Sequence, residues 1–564
     1  MLLPEWSTAC VDWEKRLVAG QSIIPAPIFP DQAEQALAIF KELKVVDLPG
    51  KPTFGECSEP WVFDFVAAIF GAYDAETGNQ LIREYGLLIS KKNTKSTIAA
   101  GVMLTALILC WREEEEHLIL APTKEVADNS FKPAAAMIRE DDELRDLFHI
   151  QGHIRTITHI VNRNSLKVVA ADTDTVSGKK AGKVLVDELW LFGKRANAAA
   201  MFLEALGGQV SRDEGWVIFL TTQSDDPPAG VFKEKLDYWR DVRDGKVEDP
   251  KTLGMLYEFP AALIKSKAYL QSENFYITNP NLGRSVSAVW LADQLRKFGS
   301  KTDGTYQQFL AKHLNVEIGM NLRSDRWSGA DYWLAASAAE AVGSLEELIE
   351  RCEVITLGID GGGLDDLLGF AAVGREIETG RWLSWARAWI HPIALERRQS
   401  EASKYQDFIN DGDLVLVSRI GQDLLEVVAL VVLVVDSGLL DKVGVDRAGL
   451  GGIFDALVGT DDEPGPIDKE MVIGIPQGWQ LQGAIKTAER KLAGGTLIPA
   501  VSPLMVWCVG NAKVVQVGNA ISITKQVSGL AKIDPLMALF DAIYLMALNP
   551  EARSGPGIYS MELN

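Results

Sequence analysis

The sequence has few cysteines, and none of them are arranged for cross-linking. The five cysteines, at positions 10, 57, 110, 352 and 508, are scattered over 564 residues and form no C-x-x-C pair. This spacing argues against a disulfide framework or a zinc framework and favours a reducing compartment. Because a chain of this length exceeds one hydrophobic core, we expect two or more domains.

Long hydrophobic runs and an amino-terminal targeting signal are also missing. The longest apolar runs, 98–111 and 424–435, are shorter than the roughly 20 residues that span a bilayer. The start "MLLPEWSTACVDWEKR" has no basic segment followed by an apolar core, as a signal peptide would have. We therefore expect a soluble protein with no membrane partner, which is not secreted.

Basic residues are outnumbered, with 56 lysines and arginines against 77 aspartates and glutamates and a net charge of −21. This balance argues against a chain coated in positive charge for passive nucleic-acid binding. It does not exclude a local basic channel, because electrostatic attraction depends on where charges lie rather than on their total.

The distribution of apolar runs predicts the domain organisation. Between 61 and 325, strand-like runs alternate with helical patterns, which is typical of an α/β domain with a mainly parallel sheet. Residues 1–60 are interrupted by prolines and contain one helical pattern at 31–45. Connecting helices are predicted at 326–350, and a second α/β pattern covers 351–564. The strand-like runs of the first pattern are "YGLLIS", "HLILAP", "LKVVAAD", "KVLVDE" and "WVIFLTT".

The segment "ISKKNTKST" (89–97) lies between a strand-like run and an apolar helix, where a phosphate-binding loop would lie. Only Lys95 and Ser96 match the pattern G-x-x-x-x-G-K-[ST], in which lysine reaches the β- and γ-phosphates and the hydroxyl binds Mg²⁺. Thr94 stands where glycine usually allows close approach. On its own, the segment favours a solvated basic turn.

Polar residues at two strand ends change this interpretation. The run "KVLVDELW" ends in Asp187 and Glu188, and an ATPase needs one carboxylate to hold Mg²⁺ and another to polarise water. The run "WVIFLTTQS" ends in Thr221, Thr222 and Gln223, which could sense the γ-phosphate, although a plain strand exit explains them equally well. Because α/β sheets bind ligands at the carboxyl ends of their strands, the combination predicts a nucleotide-hydrolysing domain.

Separated aspartates in the second α/β region match a different chemistry. Two-metal phosphodiester cleavage needs several carboxylates from distant segments around metals about 3.5–4 Å apart. Asp360 and Asp446 each end a strand-like run, Asp534 begins an apolar helix, and Asp541 lies two turns later on roughly the same face. Singly, each is better explained as a cap or a strand-end turn.

Two acidic segments leave alternatives. The valine-rich run 423–438 has strand propensity and would then end in Asp436, which makes Asp436 the alternative to Asp446. Asp365 and Asp366 are predicted in a hairpin turn, more solvated than catalytic. The "EEEE" run at 113–116 is predicted to be a solvated loop.

An ordered set of segments resembles the large terminase subunits of tailed bacteriophages. The set is "LLISKKNTKST", "LILAPTKEVADNSF", "AADTDTVSG", "VLVDELW", "LTTQSDDP" and "YITNPNLG", and the resemblance covers nearly the whole chain. It implies an ATP-driven motor that packages DNA into procapsids and cuts concatemeric DNA. The implied fold has an N-terminal P-loop ATPase domain and a C-terminal RNase H-like nuclease domain, with a helix at 423–438.

The resemblance also implies roles for single residues. Ser96 and Asp187 would hold Mg²⁺, Glu188 would activate water, and segment 59–71 would pack near the adenine, with Val62 where a glutamine is common. The nucleotide would be bound by Lys91, Asn93, Thr94, Lys95, Ser96, Thr97, Asp187 and Gln223. The catalytic carboxylates that hold Mg²⁺ or Mn²⁺ in the nuclease would be Asp360, Asp446 and Asp534, with Asp541 as the candidate fourth ligand.

The implied partners are double-stranded DNA, a portal protein, a small terminase subunit and other copies of the chain in a ring, in the host cytoplasm. Arg212 is one of several candidates for an arginine that reaches a neighbouring copy's γ-phosphate. Two other classes stay open. One is a metal-dependent nuclease with a vestigial nucleotide site, and the other is a non-catalytic docking protein of a decayed prophage.

Overall fold

A computed structural model describes residues 4–170, 181–195, 197–299, 305–318, 327–337, 340–446, 450–460, 463–517, 520–524 and 532–553. The chain divides into two compact units, Met1–Ile318 and Gly319–Asn564. Residues 171–178 of the segment "AADTDTVSG" and Gly449 after Asp446 lie outside the described residues. The finer domain boundaries remain a prediction.

In the described part of the first unit, eight strands form one sheet and two more form a small hairpin. The sheet order is β10-β3-β9-β8-β4-β7-β6-β5, parallel from β10 to β7 and antiparallel for β6 and β5. The strands are β1 (Tyr73–Asp74), β2 (Asn79–Gln80), β3 (Glu84–Leu88), β4 (Glu116–Ala121), β5 (Phe148–Gln151), β6 (Thr156–His159), β7 (Ser165–Ala170), β8 (Ala181–Val186), β9 (Trp216–Thr221) and β10 (Thr252–Leu256).

The central strands of this sheet are buried along their whole length. All six residues of β8 and all six of β9 are buried, as expected for apolar runs in a parallel sheet that helices cover on both faces. The predicted α/β class with a mainly parallel sheet is confirmed, and each of the five strand-like runs contains a strand. Strand β10 and the β5–β6 hairpin were not predicted.

Helices connect these strands and cover the sheet. The helix predicted at 31–45 spans Pro30–Glu42, and the apolar helix after the 89–97 loop spans Lys95–Ile108. The helices of the first unit are α1 (Trp13–Val18), α2 (Pro30–Glu42), α3 (Phe54–Cys57), α4 (Pro60–Phe70), α5 (Lys95–Ile108), α6 (Lys124–Arg139), α7 (Asp142–Leu147), α8 (Leu189–Phe192), α9 (Ala198–Gly207), α10 (Gly230–Arg243), α11 (Ala261–Lys265), α12 (Ala288–Phe298) and α13 (Thr305–Leu314).

The described strands of the second unit form a mixed sheet in the order β14-β13-β12-β11-β15-β16, with β17 beside β13 and a separate β18–β19 hairpin. An antiparallel meander (β11, β12, β13) followed by β15 and β16 parallel to β11 is the RNase H-like arrangement. The strands are β11 (Cys352–Gly361), β12 (Leu367–Glu376), β13 (Trp382–Ile390), β14 (Leu414–Leu416), β15 (Leu440–Asp446), β16 (Val472–Ile475), β17 (Leu497–Pro499), β18 (Lys513–Val517) and β19 (Ala520–Thr524).

Two helices of the second unit, α18 (Gln422–Asp436) and α22 (Asp534–Met546), contain acidic residues that the sequence singled out. The valine-rich run is helical, which confirms the helix that the resemblance implied and not the strand that propensity favoured. The helices are α14 (Ala330–Ala336), α15 (Leu345–Arg351), α16 (Pro392–Arg397), α17 (Gln399–Asn410), α18 (Gln422–Asp436), α19 (Leu450–Val458), α20 (Gln482–Ala493), α21 (Pro503–Asn511) and α22 (Asp534–Met546).

Helix α22 lies directly on β11 and β12 because glycines face it. A Cβ atom at Gly358 would collide with the carbonyl oxygen of Ala538, and one at Gly369 would come within 2.7 Å of the backbone of Pro535. Larger residues at these positions would push the helix off the sheet. The close contact fixes the start of α22, and therefore Asp534, beside the end of β11.

The acidic run at 113–116 is less exposed than the sequence predicts. The "EEEE" prediction was wrong for Glu115, which is 1% exposed, and for Glu116, which begins β4, while Glu113 and Glu114 are exposed as predicted. The thiol of Cys110 donates to Oε2 of Glu115 at 2.8 Å, and Nζ of Lys183 lies 3.6 Å from Oε1.

None of the helices in the described part of the chain combines the length and apolar character that a bilayer crossing needs.

Candidate functional site

The loop between β3 and α5 has the backbone shape of an anion site. Lys92 and Thr94 adopt positive φ angles of 74° and 59°, and such turns direct successive N–H groups into a concavity. The amino terminus of α5 follows directly and adds the positive end of its dipole. Thr94 occupies a left-handed conformation that glycine would adopt freely, at a cost of roughly 1–2 kcal/mol for an L-residue.

Two asparagines from the segment "YITNPNLG" hold this loop in place. The side-chain amide of Asn93 donates to Oδ1 of Asn279 at 2.9 Å and to the carbonyl oxygen of Ser90 at 3.0 Å. The backbone N–H of Asn281 donates to Oδ1 of Asn93 at 3.0 Å, and its side-chain amide donates to Oγ1 of Thr94 at 3.0 Å. Asn279 and Asn281 belong to a segment that carries the resemblance, but their role in fixing the loop was not predicted.

The predicted lysine, serine and acidic pair meet at the carboxyl ends of β3 and β8. Nζ of Lys95 lies 2.7 Å from Oε1 of Glu188. The hydroxyl of Ser96 donates to Oδ2 of Asp187 at 3.1 Å, and the hydroxyl of Ser130 donates to the same oxygen at 3.2 Å. Ser130 was not predicted as a site residue, because it lies inside helix α6 rather than in the loop or at a strand end.

Burial and charge act in opposite directions on the two carboxylates. Burial raises the pKa of Asp187 to about 6, against the attraction of Lys95. Burial also acts to raise the pKa of Glu188, but the contact with Lys95 outweighs it and lowers the pKa overall. Glu188 therefore stays ionised, and it has a positive φ of 55°, an uncommon backbone conformation that is often found at functional sites.

The other predicted nucleotide-site residues lie in the 89–97 loop, in the first turn of α5 and just after β9. The side-chain amide of Gln223 is 1% exposed, and neither its Oε1 nor its Nε2 has a hydrogen-bond partner among the described residues. A buried amide left unpartnered is costly, so a ligand group is the natural partner. The backbone N–H of Lys91 donates to the carbonyl oxygen of Lys312, and Thr97 lies half-buried in the first turn of α5.

Residues near the predicted adenine side and Arg212 also have defined positions. Val62 is buried in α4, and the indole of its neighbour Trp61 donates to Oδ1 of Asn281 at 2.8 Å. Arg212 precedes β9, and its carbonyl oxygen accepts from Arg83, which precedes β3. Arg212 thus lies at the amino ends of these strands, the edge opposite the 89–97 loop. Its role toward a neighbouring copy stays a prediction.

The predicted aspartates of the second unit converge at one end of its sheet. Ile359 pairs with Val445 in the parallel β11–β15 ladder, so that Asp360 and Asp446 end neighbouring strands at the same edge. Burial and the carboxylates of Asp534, Asp541 and Asp446, in that order, raise the pKa of Asp360 well above its usual range. Each of the other three predicted carboxylates therefore lies close enough to act on Asp360.

This cluster fits divalent cations. Oδ1 of Asp541 accepts a hydrogen bond from Nε2 of Gln477 at 3.0 Å, while its Oδ2 is buried with no hydrogen-bond partner among the described residues. Burial, and the proximity of Asp446, raise the pKa of Asp541 well above its usual range. Carboxylates crowded in this way ionise together only when a cation balances them, and Mg²⁺ and Mn²⁺ prefer such oxygen ligands.

Of the alternative acids, Asp366 lies near Asp360, since its carboxylate also contributes to raising the pKa of Asp360, whereas Asp436 lies elsewhere. Asp436 is exposed at the end of α18, before β15 begins, whereas Asp446 is the last residue of β15. The structure therefore does not bring Asp436 to the cluster. Asp365 and Asp366 lie in the predicted turn between β11 and β12, and Asp366 forms an ion pair with Lys532.

Comparisons with known proteins give one family and several similar solved structures. Residues 60–241 match the family model of the terminase large subunit, ATPase domain. Among solved structures, the large terminase of bacteriophage HK97 is 19% identical, covers 91% of this chain and 99% of its own, and has a TM-score of 0.46.

Two further solved structures are similar to this chain. The large terminase of a thermophilic bacteriophage, in complex with ADP, is 12% identical, covers 83% of this chain and 94% of its own, and has a TM-score of 0.30. The large terminase nuclease of the thermophilic phage G20c is 13% identical, covers 34% and 81%, and has a TM-score of 0.23. No curated protein matches the chain. The family match confirms the resemblance of this chain to the large terminase subunits of phages, with residues 60–241 matching their ATPase domain.

Proposed function

We propose that the protein is a viral DNA-packaging motor subunit that hydrolyses ATP to translocate double-stranded DNA into a procapsid and cuts concatemeric DNA. The observation that carries the proposal is the presence, in one chain, of two carboxylate centres with different surroundings. One joins Asp187 and Glu188 to Lys95 and Ser96, and the other contains Asp360 and its neighbouring aspartates.

In the first centre, the loop amides and Lys95 would hold the phosphates of ATP, and Ser96 and Asp187 would hold Mg²⁺. A bound Mg²⁺ neutralises phosphate charge during transfer. Phosphate oxygens compete with Glu188 for Lys95, and this competition frees the Glu188 carboxylate to accept a proton from the attacking water. The indole N–H of Trp190 donates to Glu188 and orients it, and the buried Gln223 amide would hydrogen-bond to the γ-phosphate.

In the second centre, Asp360, Asp446, Asp534 and Asp541 would hold Mg²⁺ or Mn²⁺. Bound ions of this kind stabilise the charge that develops on a scissile phosphate. Gly361, with a φ of 91°, follows Asp360, and a Cβ atom there would collide with the carbonyl oxygen of Leu367. Glycine therefore lets the end of β11 lie close to the start of β12 beside the acids.

The partners of such a motor would be double-stranded DNA, a portal protein, a small terminase subunit and further copies of the chain in a ring, in the host cytoplasm. The support for these partners is the family match of residues 60–241. The protein would then have two enzyme activities, an ATPase that drives translocation and a metal-dependent endodeoxyribonuclease.

ATP turnover by the full-length protein tests the motor half of the proposal. We expect Lys95→Ala to abolish turnover. The substitution removes the amine that pairs with Glu188 in the structure and would bind phosphate in its place. Lys265→Ala is the matched control, since Lys265 is an exposed lysine at the end of α11. Unchanged turnover in Lys95→Ala would reject this nucleotide site, and absent turnover in the wild type would favour a nuclease with a vestigial motor.

Supercoiled plasmid incubated with the full-length protein and Mn²⁺ tests the nuclease half. We expect cutting by the wild type and none by Asp360→Asn or Asp534→Asn. Asp365→Asn, in the exposed part of the β11–β12 turn, is the control. Plasmid that stays intact with the wild type, together with absent ATP turnover, would favour the non-catalytic docking protein.

A further inference from the structure

Lys312, near the end of α13, is a buried lysine beside the proposed nucleotide site. Its side chain is 7% exposed, and its Nζ donates to the carbonyl oxygen of Gln223 at 2.8 Å. The same Nζ lies 2.8 Å from the ring centroid of Trp190. No carboxylate among the described residues lies within ion-pair distance of it. Burial lowers the pKa of Lys312 to about 6, so that its charged form is poorly supported without a further anion.

The contacts of Lys312 connect three parts of the nucleotide site. Its carbonyl oxygen accepts from the backbone N–H of Lys91, the third residue of the 89–97 segment, at 2.7 Å. Trp190, beneath its Nζ, donates through the indole N–H to the carboxylate of Glu188. Gln223, whose carbonyl it contacts, ends the β9 segment and carries the unpartnered amide.

The charged groups around Lys312 explain why it would respond to an anion. Glu188 and Asp225 favour its charged form, while Lys91 and Lys194 oppose it. Phosphate groups in the loop would add negative charge on the side where Lys91 lies. A buried lysine without an ion pair contributes little to stability, and an apolar side chain of similar length would fill the space at lower cost. This argues for a role that needs the amine.

We propose that Lys312 is a triphosphate sensor that contacts the terminal phosphate of bound ATP and exchanges that contact for the Gln223 carbonyl when the phosphate leaves. This inference rests on the proposed ATP site at 89–97. In the triphosphate state, the charged amine donates to a terminal phosphate oxygen and leaves both the Gln223 carbonyl and the Trp190 ring. After hydrolysis and phosphate release, it returns, so that the strand end at Gln223 takes two states in each cycle.

Equilibrium binding of ADP and of a non-hydrolysable ATP analogue to the full-length protein tests this role. Lys312→Met keeps the length and the apolar contact with Trp190 but removes the charge. We expect it to weaken binding of the triphosphate by about tenfold to a hundredfold, the loss of one charged hydrogen bond, and to leave ADP binding unchanged. Lys312→Arg should restore part of the triphosphate preference.

Lys194→Met is the matched control, because Lys194 also lies over Trp190, at 5.4 Å, but pairs with Asp225 and Asp226. It should keep the preference for triphosphate over ADP. An unchanged preference in Lys312→Met, with a wild type that binds both nucleotides, would overturn the sensor while leaving the ATP site intact. A wild type that binds neither nucleotide would reject the ATP site itself.

A second measurement keeps the inference testable if Lys312→Met does not fold. Because the amine lies 2.8 Å from the centroid of the Trp190 ring, its departure changes the surroundings of that indole and should change tryptophan fluorescence. We expect the triphosphate analogue, but not ADP, to change the fluorescence of the wild type, and Trp190→Phe to remove that change. Equal responses to both nucleotides, or a response that survives in Trp190→Phe, would contradict the sensor.

Discussion

The two carboxylate centres differ in how the protein balances their charge. In the first unit, Lys95 pairs with Glu188, and hydroxyl groups of Ser96 and Ser130 donate to Asp187. In the second unit, Asp360 is surrounded by other carboxylates that raise its pKa. The first centre is therefore balanced by the protein's own groups, and a ligand must displace a partner. At Asp360 the neighbouring groups that shift the pKa are carboxylates, so that a bound cation would offset negative charge there.

The largest effect is expected from replacing Glu188, the proposed general base of the first centre. Glu188→Gln removes the carboxylate that accepts the proton of water, but it leaves Lys95 free to bind phosphate. We expect ATP turnover to fall by about 10²–10⁴-fold, the usual contribution of a positioned general base, while ATP binding is retained. Steady-state kinetics measure the fall in ATP turnover, and an equilibrium titration measures ATP binding. Glu113→Gln, at an exposed position, is the control, and turnover near the wild-type rate in Glu188→Gln would reject Glu188 as the base.

The second prediction concerns metal binding by the acidic cluster around Asp360. Because carboxylates crowd around Asp360, we expect Mn²⁺ to raise the melting temperature of the full-length protein. An ion present at about 100 times its dissociation constant adds about 2.7 kcal/mol to the free energy of unfolding. Thermal melts with and without Mn²⁺ measure the shift. Asp541→Asn should lose most of it and Asp365→Asn none, and an equal shift in both variants would place the bound ion elsewhere.

The same comparison shows why some site residues were predictable and others were not. Asp187, Glu188, Asp360 and Asp446 directly follow apolar runs, and the carboxyl ends of neighbouring parallel strands meet at one edge. Ser130 reaches the site from the middle of a helix, so that its contact with Asp187 depends on how α6 packs and was not predicted, although the segment "LILAPTKEVADNSF" contains it.

The fold shows a similar division. Strands β8 and β9 are mainly apolar runs buried along their whole length and were visible in the sequence. The hairpin of β5 and β6 is short and partly exposed, with polar residues in both strands, so that its pattern resembles a loop. The prediction for Glu115 was wrong for a related reason, because the lysine and the cysteine that accompany it in the interior come from separate elements.

The third prediction tests a residue that sequence patterns missed in the first centre. Asn281→Ala removes the hydrogen bonds that its side chain makes to the carbonyl oxygen of Asn93, at 3.1 Å, and to Oγ1 of Thr94. We expect nucleotide affinity to fall by about 1–3 kcal/mol, the cost of leaving buried polar groups unpaired. Equilibrium binding of ATP measures the change. Asn410→Ala, at the exposed end of α17, is the control, and an unchanged affinity in Asn281→Ala would mean that the loop holds its shape without this residue.

The smallest expected effect concerns Thr94, where two terms nearly cancel. Glycine at this position would remove the cost of the left-handed conformation, roughly 1–2 kcal/mol, but would also remove the hydroxyl that accepts from Asn281, worth about 1 kcal/mol. We therefore expect Thr94→Gly to change ATP affinity by less than about tenfold, whereas Thr94→Ser, which keeps the hydroxyl and the backbone cost, should match the wild type. Thr94→Ala keeps the backbone cost and loses the hydroxyl, so that it should bind ATP most weakly of the three. If Thr94→Ala binds as well as Thr94→Gly, the positive φ of this residue costs nothing in the free loop, and the missing glycine is no handicap to the first centre.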